Sequence, residues 1–202
     1  MELYPLMLNV AGRLAVVVGG GAVGRRRAAG LVAAGGRVRL VDPAAVAPVG
    51  GVEHVCEAYT AGHLAGAALV FACTDDRNLN ARIGLDARAA GAWVNVADDP
   101  AAGDFVVPAV HRTEGVTLSI ATSWGLPALS AVLRDRCAAA LGADLDAFGA
   151  ALGSLRERLK ADAPPEVRRA LLIRLCGDEG LDVFRAGGEA ALTAWVDRAL
   201  DG

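Results

Sequence analysis

Three stretches of this chain carry residues suited to chemistry: a glycine run, Gly19-Gly20-Gly21-Ala22-Val23-Gly24, and two acidic pairs, Asp75-Asp76 and Asp98-Asp99. A carboxylate held in a crevice can take or give a proton at a reacting atom. The glycines serve another purpose. In the order G-x-G-x-x-G they bring backbone N–H groups up against a pyrophosphate. Gly19 would make the tight turn, Gly21 would allow the close approach, and Gly24 would let helix pack closely on strand. Asp42 follows about 20 residues on, where a carboxylate accepts hydrogen bonds from adenosine ribose hydroxyls. It would repel a 2′-phosphate, which favours NAD over NADP. Arg39 argues the other way in charge, but it lies within a strand.

The elements that must position these residues can be read from the pattern of apolar runs. Residues 14–18 form an apolar strand, as expected when both faces of a sheet are covered. A helix is predicted over 22–34 and stopped by Gly35-Gly36. A second strand covers 37–42 and is closed by Pro43, with a third short strand at 55–59 and a helix at 60–65. A strand at 67–73 releases Thr74-Asp75-Asp76, a helix covers 79–90, and a strand at 93–96 releases Asp98-Asp99. Alternation of this kind means a parallel sheet with right-handed crossovers. Ligands of such sheets bind beyond the C-terminal ends of the strands. That places Pro43, Thr74, Asp75 and Asn95 beside the glycine turn as cofactor contacts. For Asp98 and Asp99 a turn or helix cap competes with catalysis, since Asp-Pro is a natural turn sequence. Arg25, Arg26 and Arg27 open the first helix, either as a solvated face or as cations for an anionic substrate. The positive end of the helix would reinforce the second use.

Residues 4–10 suggest an edge strand or an extended arm, with Pro5 near the start. After residue 113 the pattern changes. Residues 116–122 alternate, like a half-exposed strand, and Pro127 can open a helix that runs over 128–141. The remainder reads as helical, broken near 163–165 and 176–177.

Composition limits the partners. The chain has 202 residues, 54% hydrophobic and 21% charged, with a net charge of −3. That suits a folded chain and favours neither nucleic acid nor an anionic membrane as partner. The charge-free stretch 14–24 is far shorter than the roughly 18 residues a membrane span needs. Glu2 and Pro5 stand where a basic leader would be, so the expectation is a cytoplasmic protein. Cys56, Cys73, Cys137 and Cys176 are too far apart for a C-x-x-C pair and read as buried free thiols. His54, His63 and His111 are scattered, and no metal site is expected.

Several motifs in fixed order resemble a known family: residues 4–10 (Tyr-Pro-Leu-Met-Leu-Asn-Val), Gly12-Arg13, 16–23, Ala72-Cys-Thr-Asp-Asp76, Leu79-Asn80, Asn95-Val-Ala-Asp98 and Phe105-Val-Val-Pro108. In this order they resemble the precorrin-2 dehydrogenases, including the dehydrogenase/chelatase module of sirohaem synthases. The likeness covers about residues 4–136. It implies an α/β fold: an NAD-binding Rossmann domain over 1–112, a dimerisation segment over 113–146 and a helical C-terminal domain over 147–202. It also implies a homodimer that oxidises precorrin-2, a tetrapyrrole, to sirohydrochlorin with NAD. Asp98 falls at the family's key aspartate. There it would steer or accept a proton as hydride leaves the macrocycle, and in some members the same residue serves insertion of Fe²⁺.

The chain departs from the family at Thr122-Ser-Trp-Gly-Leu-Pro127. Thr122 and Pro127 match, Leu126 replaces a serine and Trp124 is extra, which puts chelation rather than oxidation in question. The turn is expected to border the macrocycle, with Arg26, Pro108, Thr122 and Trp124 as substrate contacts. Trp124 suits either stacking on the tetrapyrrole or packing in a dimer interface. A rival reading is a non-catalytic NAD-sensing regulatory domain. It also pairs a glycine turn with an acidic strand end, but it leaves 95–98 and 105–108 unexplained.

Overall fold

In the computed structural model, which describes residues 3–44 and 47–201, the apolar run Leu14–Val18 is the central strand, β1. It is followed by α1 (Ala22–Ala33), β2 (Arg37–Val41), β3 (Val52–Val55), β4 (Ala67–Ala72), α2 (Arg77–Ala89) and β5 (Trp93–Val96). All strand pairs are parallel, and the order is β3-β2-β1-β4-β5. The chain builds outward from β1 to one side, then returns to place β4 on the other. The crevice beyond the C-terminal ends of β1 and β4 is therefore the topological switch point.

Strand residues alternate between faces, and β1 shows how one strand feeds two cores. Val16 and Val18 join Val70, Val94 and Ile83 of α2. Ala15 and Val17 join Leu40, Phe71 and Ala28 of α1. Gly35, at φ 78°, ends α1 as expected. The strand expected at 55–59 lies instead at Val52–Val55. It starts at the left-handed Gly51, and the ladder ends where Val55 O accepts from Asp42 N. The short helix is a 3₁₀ turn, Ala61–Leu64. Residues 3–10 make no ladder pairing, so no edge strand forms there.

The backbone divides into two compact units, Met1–Val107 and Pro108–Gly202. In the second, β6 (Ala109–Arg112) pairs antiparallel with β7 (Thr117–Ile120), and α3 (Pro127–Ala140) packs on both. The alternating segment pairs with β6 in a two-stranded sheet of its own and has no partner in the five-stranded sheet. The pairing partner was hidden because Pro108 interrupts the apolar run ahead of it. Three further helices, α4 (Leu145–Asp162), α5 (Pro165–Leu175) and α6 (Asp178–Asp201), share a core of Phe148, Leu155, Leu159, Leu175, Leu192 and Val196. The breaks between them fall where expected, and Gly187 and Gly188 add an unforeseen kink in α6. Asp146 accepts from Thr113 Oγ1 at 2.6 Å and from the amides of Glu114 and Gly115, binding the hairpin turn to α4.

Among the described residues no single helix is long and apolar enough to cross a membrane. All four cysteines are free, but Cys56, Cys137 and Cys176 are exposed and Cys73 is half-buried, against the expectation of buried thiols. Cys137 lies on an exposed stretch of α3 and Cys176 caps the end of α5, so neither faces a core.

Candidate active site

The turn between β1 and α1 is built by what its glycines lack. Gly19 has φ 102°, and a Cβ there would stand 2.5 Å from the Cys73 carbonyl oxygen. At Gly24 a Cβ would fall 1.9 Å from the Gly19 carbonyl oxygen, so only glycine lets α1 start this close to β1. Gly21 differs: a Cβ there would meet nothing within 4 Å. It is exposed, as are Ala22 and Val23, and α1 has neither a side-chain cap nor an acid in its first turn. The first-turn amides therefore face open space with the positive helix end behind them. A pyrophosphate fits there by charge and by room.

Asp42 stands at the end of β2 and closes this turn from the side. Its Oδ2 accepts from Gly20 N at 2.6 Å and its Oδ1 from Ala44 N at 2.8 Å. Pro43 follows it on the surface. Arg39 is committed elsewhere, donating to Glu53 Oε1 at 3.1 Å and to the His63 carbonyl at 3.0 Å.

At the ends of β4 and β5 the parts are side chains. Each acidic pair divides its labour. Asp76 caps α2, accepting from the amides of Asn78 and Leu79, while Asp75 is exposed. Asp99 caps the 3₁₀ turn Pro100–Ala102, accepting from Ala101 N and Ala102 N. Asp98 is left to face outward. Its Oδ1 accepts from Asn80 Nδ2 at 2.8 Å and its Oδ2 from Arg77 Nε at 3.3 Å. Its side chain keeps 31% of its surface exposed. Asn80, 1% exposed, also accepts from Thr74 N and Thr74 Oγ1 and donates to Thr74 O. Asn95 is buried beneath, donating to Phe105 O at 2.9 Å, so it holds the 104–107 segment against β5.

Arg77 and Asn80 are absent from the sequence-predicted site. The Leu79-Asn80 pair was visible as a motif, but only the helix start at Arg77 turns both side chains toward Asp98. Burial pushes the Cys73 thiol up to about 11, opposed by the nearby Arg27 and Arg26 guanidinium groups. Burial also lowers Arg27, followed by repulsion from Arg26. Arg26 itself is exposed. Pro108, Thr122 and Trp124 lie in the second unit. There Thr122 Oγ1 is 3.2 Å from Ser130 Oγ, and Trp124 is 70% exposed on a turn whose Gly125 has φ 66°. Leu126 sits at the N-cap of α3 and makes no side-chain bond, so replacing a serine there removes a cap.

A parallel sheet of order β3-β2-β1-β4-β5, with a glycine turn after β1 and an acid ending β2, defines a Rossmann-type dinucleotide-binding unit. The chain belongs to the family described as "Putative NAD(P)-binding", whose model matches residues 6–109. "Siroheme synthase 1" of Aeromonas salmonicida (strain A449) is 33% identical over 198 residues, 95% of this chain and 42% of that protein. "Siroheme synthase" of Nitrosospira multiformis is 30% identical over 212 residues, 100% of this chain and 45% of that protein. The chain thus spans less than half the length of these two relatives. A solved structure titled "SirC, precorrin-2 dehydrogenase" superposes with a TM-score of 0.77 over 99% of this chain and 100% of that one. At 18% identity it establishes the shared fold.

Proposed function

We propose that this chain oxidises precorrin-2 to sirohydrochlorin, with NAD⁺ as acceptor. The observation that carries the reading is the Asp98 carboxylate, partly exposed beyond the ends of β4 and β5 and held by Asn80 and Arg77. The names of the relatives supply the substrate class: a tetrapyrrole.

When bound, NAD⁺ supplies the hydride acceptor. The chain's own residues do the rest. Amides of 19–24 bind the pyrophosphate and Asp42, beside Pro43, takes the adenosine ribose. Asp42 disfavours a 2′-phosphate, and with Arg39 already paired the preference is for NAD⁺. Thr74 and Asp75 flank the nicotinamide half, with Asn95 supporting from below. As one hydride leaves the macrocycle, Asp98 accepts the proton lost with it, completing a two-electron oxidation. Arg26, Pro108, Thr122 and Trp124 contact the carboxylate-rich macrocycle. Fe²⁺, where it is a chelation substrate, uses the same Asp98, which can remove pyrrole protons.

In this reading residues 113–146, with β6 completing their strand pair, form the dimerisation segment of a cytoplasmic homodimer, 147–202 form the helical domain, and the NAD-binding domain precedes them. Exposed Trp124, Leu126 and Val132 support that role for the second segment. Sedimentation in reductant at micromolar concentration is expected to give the dimer mass; a monomer rejects the assignment.

Mixing protein, NAD⁺ and precorrin-2 is expected to give NADH and the sirohydrochlorin spectrum. An NAD-sensing domain would bind the nucleotide and leave the spectrum unchanged. Adding Fe²⁺ or Co²⁺ to sirohydrochlorin, with and without the protein, decides chelation.

A further inference from the structure

We propose that Asn80 is a positioning residue that locks the Asp98 carboxylate and the Thr74 turn into one unit. The inference rests on Asp98 being the proton acceptor described above.

The primary amide of Asn80 has two N–H donors and an oxygen with two lone pairs. All four are used. Oδ1 accepts from Thr74 N at 3.1 Å and Thr74 Oγ1 at 2.7 Å. Nδ2 donates to Thr74 O at 3.0 Å and to Asp98 Oδ1 at 2.8 Å. Only one orientation of the amide satisfies this set, because the reverse would turn its oxygen on the carboxylate and the Thr74 carbonyl. A residue that is 1% exposed cannot trade these partners for water. Arg77, the other group on Asp98, sits on an 80% exposed side chain and is free to swing into solvent. Asn80 therefore sets where the carboxylate points, and Arg77 does not. The neighbouring acids Asp76 and Asp99 are occupied as caps, so neither substitutes for it. The same amide fixes the turn proposed to flank the nicotinamide, so one buried side chain aligns the proton acceptor with the hydride acceptor.

The informative variant is Asn80→Asp, which keeps the shape and removes the donor. Protonated, the new carboxyl can still donate to Asp98. Ionised, it places a second negative charge at hydrogen-bond distance, and the pair then titrates in two separated steps. The expected result is a turnover, relative to wild type, that falls about tenfold or more as pH is raised through the upper step. Asn80→Ala should lower kcat about tenfold to a hundredfold at every pH, with thermal unfolding run alongside to check the turn. Asp98→Asn/Asn80→Asp should lose the added pH dependence. A constant Asn80→Asp to wild-type ratio across the pH range, or unchanged kcat in Asn80→Ala, overturns the proposal. A second readout needs no turnover. The carboxyl carbon of Asp98, identified in NMR by its loss in Asp98→Asn, should show a second step in Asn80→Asp, as the neighbouring carboxyl ionises, that is absent from wild type. An identical titration overturns the proposal. Absence of precorrin-2 oxidation by the wild-type protein would instead overturn the proposed function, and the NMR result would still judge Asn80.

Discussion

The glycine turn after β1 and the acidic ends of β4 and β5 face the same crevice but are built from opposite materials. The first is backbone: its shape depends on missing side chains at Gly19 and Gly24, and its ligand groups are amides. The second is side chain: Thr74, Asn80, Asp98 and Arg77 in a hydrogen-bonded chain. The two halves therefore fail differently. Added volume breaks the first, whereas changes in charge or hydrogen bonding at constant volume break the second.

The largest effect is expected at Gly24→Val. With a Cβ 1.9 Å from a backbone oxygen, the turn cannot close. NAD⁺ binding should vanish in calorimetry and the melting temperature should fall, since overpacking of this kind costs about 1–3 kcal/mol or more. Gly21→Val should separate binding from folding: the same loss of NAD⁺ binding with a much smaller fall in melting temperature, because its Cβ enters open space and only the N-cap preference is lost. If Gly21→Val still binds, the pyrophosphate lies elsewhere. In the other half, Asp98→Asn should lower precorrin-2 turnover ~10²-fold or more while NAD⁺ affinity holds. A loss of rate without loss of cofactor binding marks an interaction made only in the transition state. Wild-type turnover in this variant would make Asp98 structural.

Asp42 joins the two kinds of construction, since its carboxylate holds the Gly20 amide. Asp42→Ala should weaken NAD⁺ about tenfold, roughly 1.4 kcal/mol, and narrow the gap to NADP⁺; equal NAD⁺ affinity would reject the ribose assignment. Asp99→Asn should change turnover by less than about threefold, because asparagine caps a helix as well as aspartate does.

The smallest effect lies in the second unit. Asp144 is held below the usual carboxylate range, first by its hydrogen bond with Arg185, and Asp146 first by the Thr113 hydroxyl. Their contribution to folding is complete above an ordinary carboxylate pKa of about 4. It is lost as pH falls through their lower folded values. Amide exchange at 113–116 and 144–148 should therefore quicken in that acid window, ahead of β1 and β4.

The backbone half was legible in the sequence because its requirements are strict. Few residue types allow φ 102° at position 19 or a helix start in contact with a carbonyl at position 24, so the glycines declare themselves. The strands β1 and β4 were equally plain, being apolar on both faces. The side-chain half was legible only in part. Asp98 and Asp99 are identical in type, and which one caps the turn depends on where the chain bends after Val96. Asn80 carried no signal of its own role, since one asparagine on a predicted helix is ordinarily surface. β6 was missed because four residues with a proline just before them do not make a pattern.

The far side of β5 has a consequence for how the protein behaves in a crowd. β5 is an edge strand, yet Val94 is not open to a sixth strand: its N–H donates to Asp104 Oδ2 at 2.9 Å and its carbonyl accepts from Asp104 N at 2.7 Å. Arg88 donates to the same carboxylate from α2, and Gly103 lies so close that a Cβ would stand 3.1 Å from the Val94 oxygen. One residue thus imitates both halves of a ladder partner. Sheets left open at such a position recruit one another into aggregates. Here that position on β5 is already taken by its own chain, so Asp104 blocks edge-to-edge pairing at Val94.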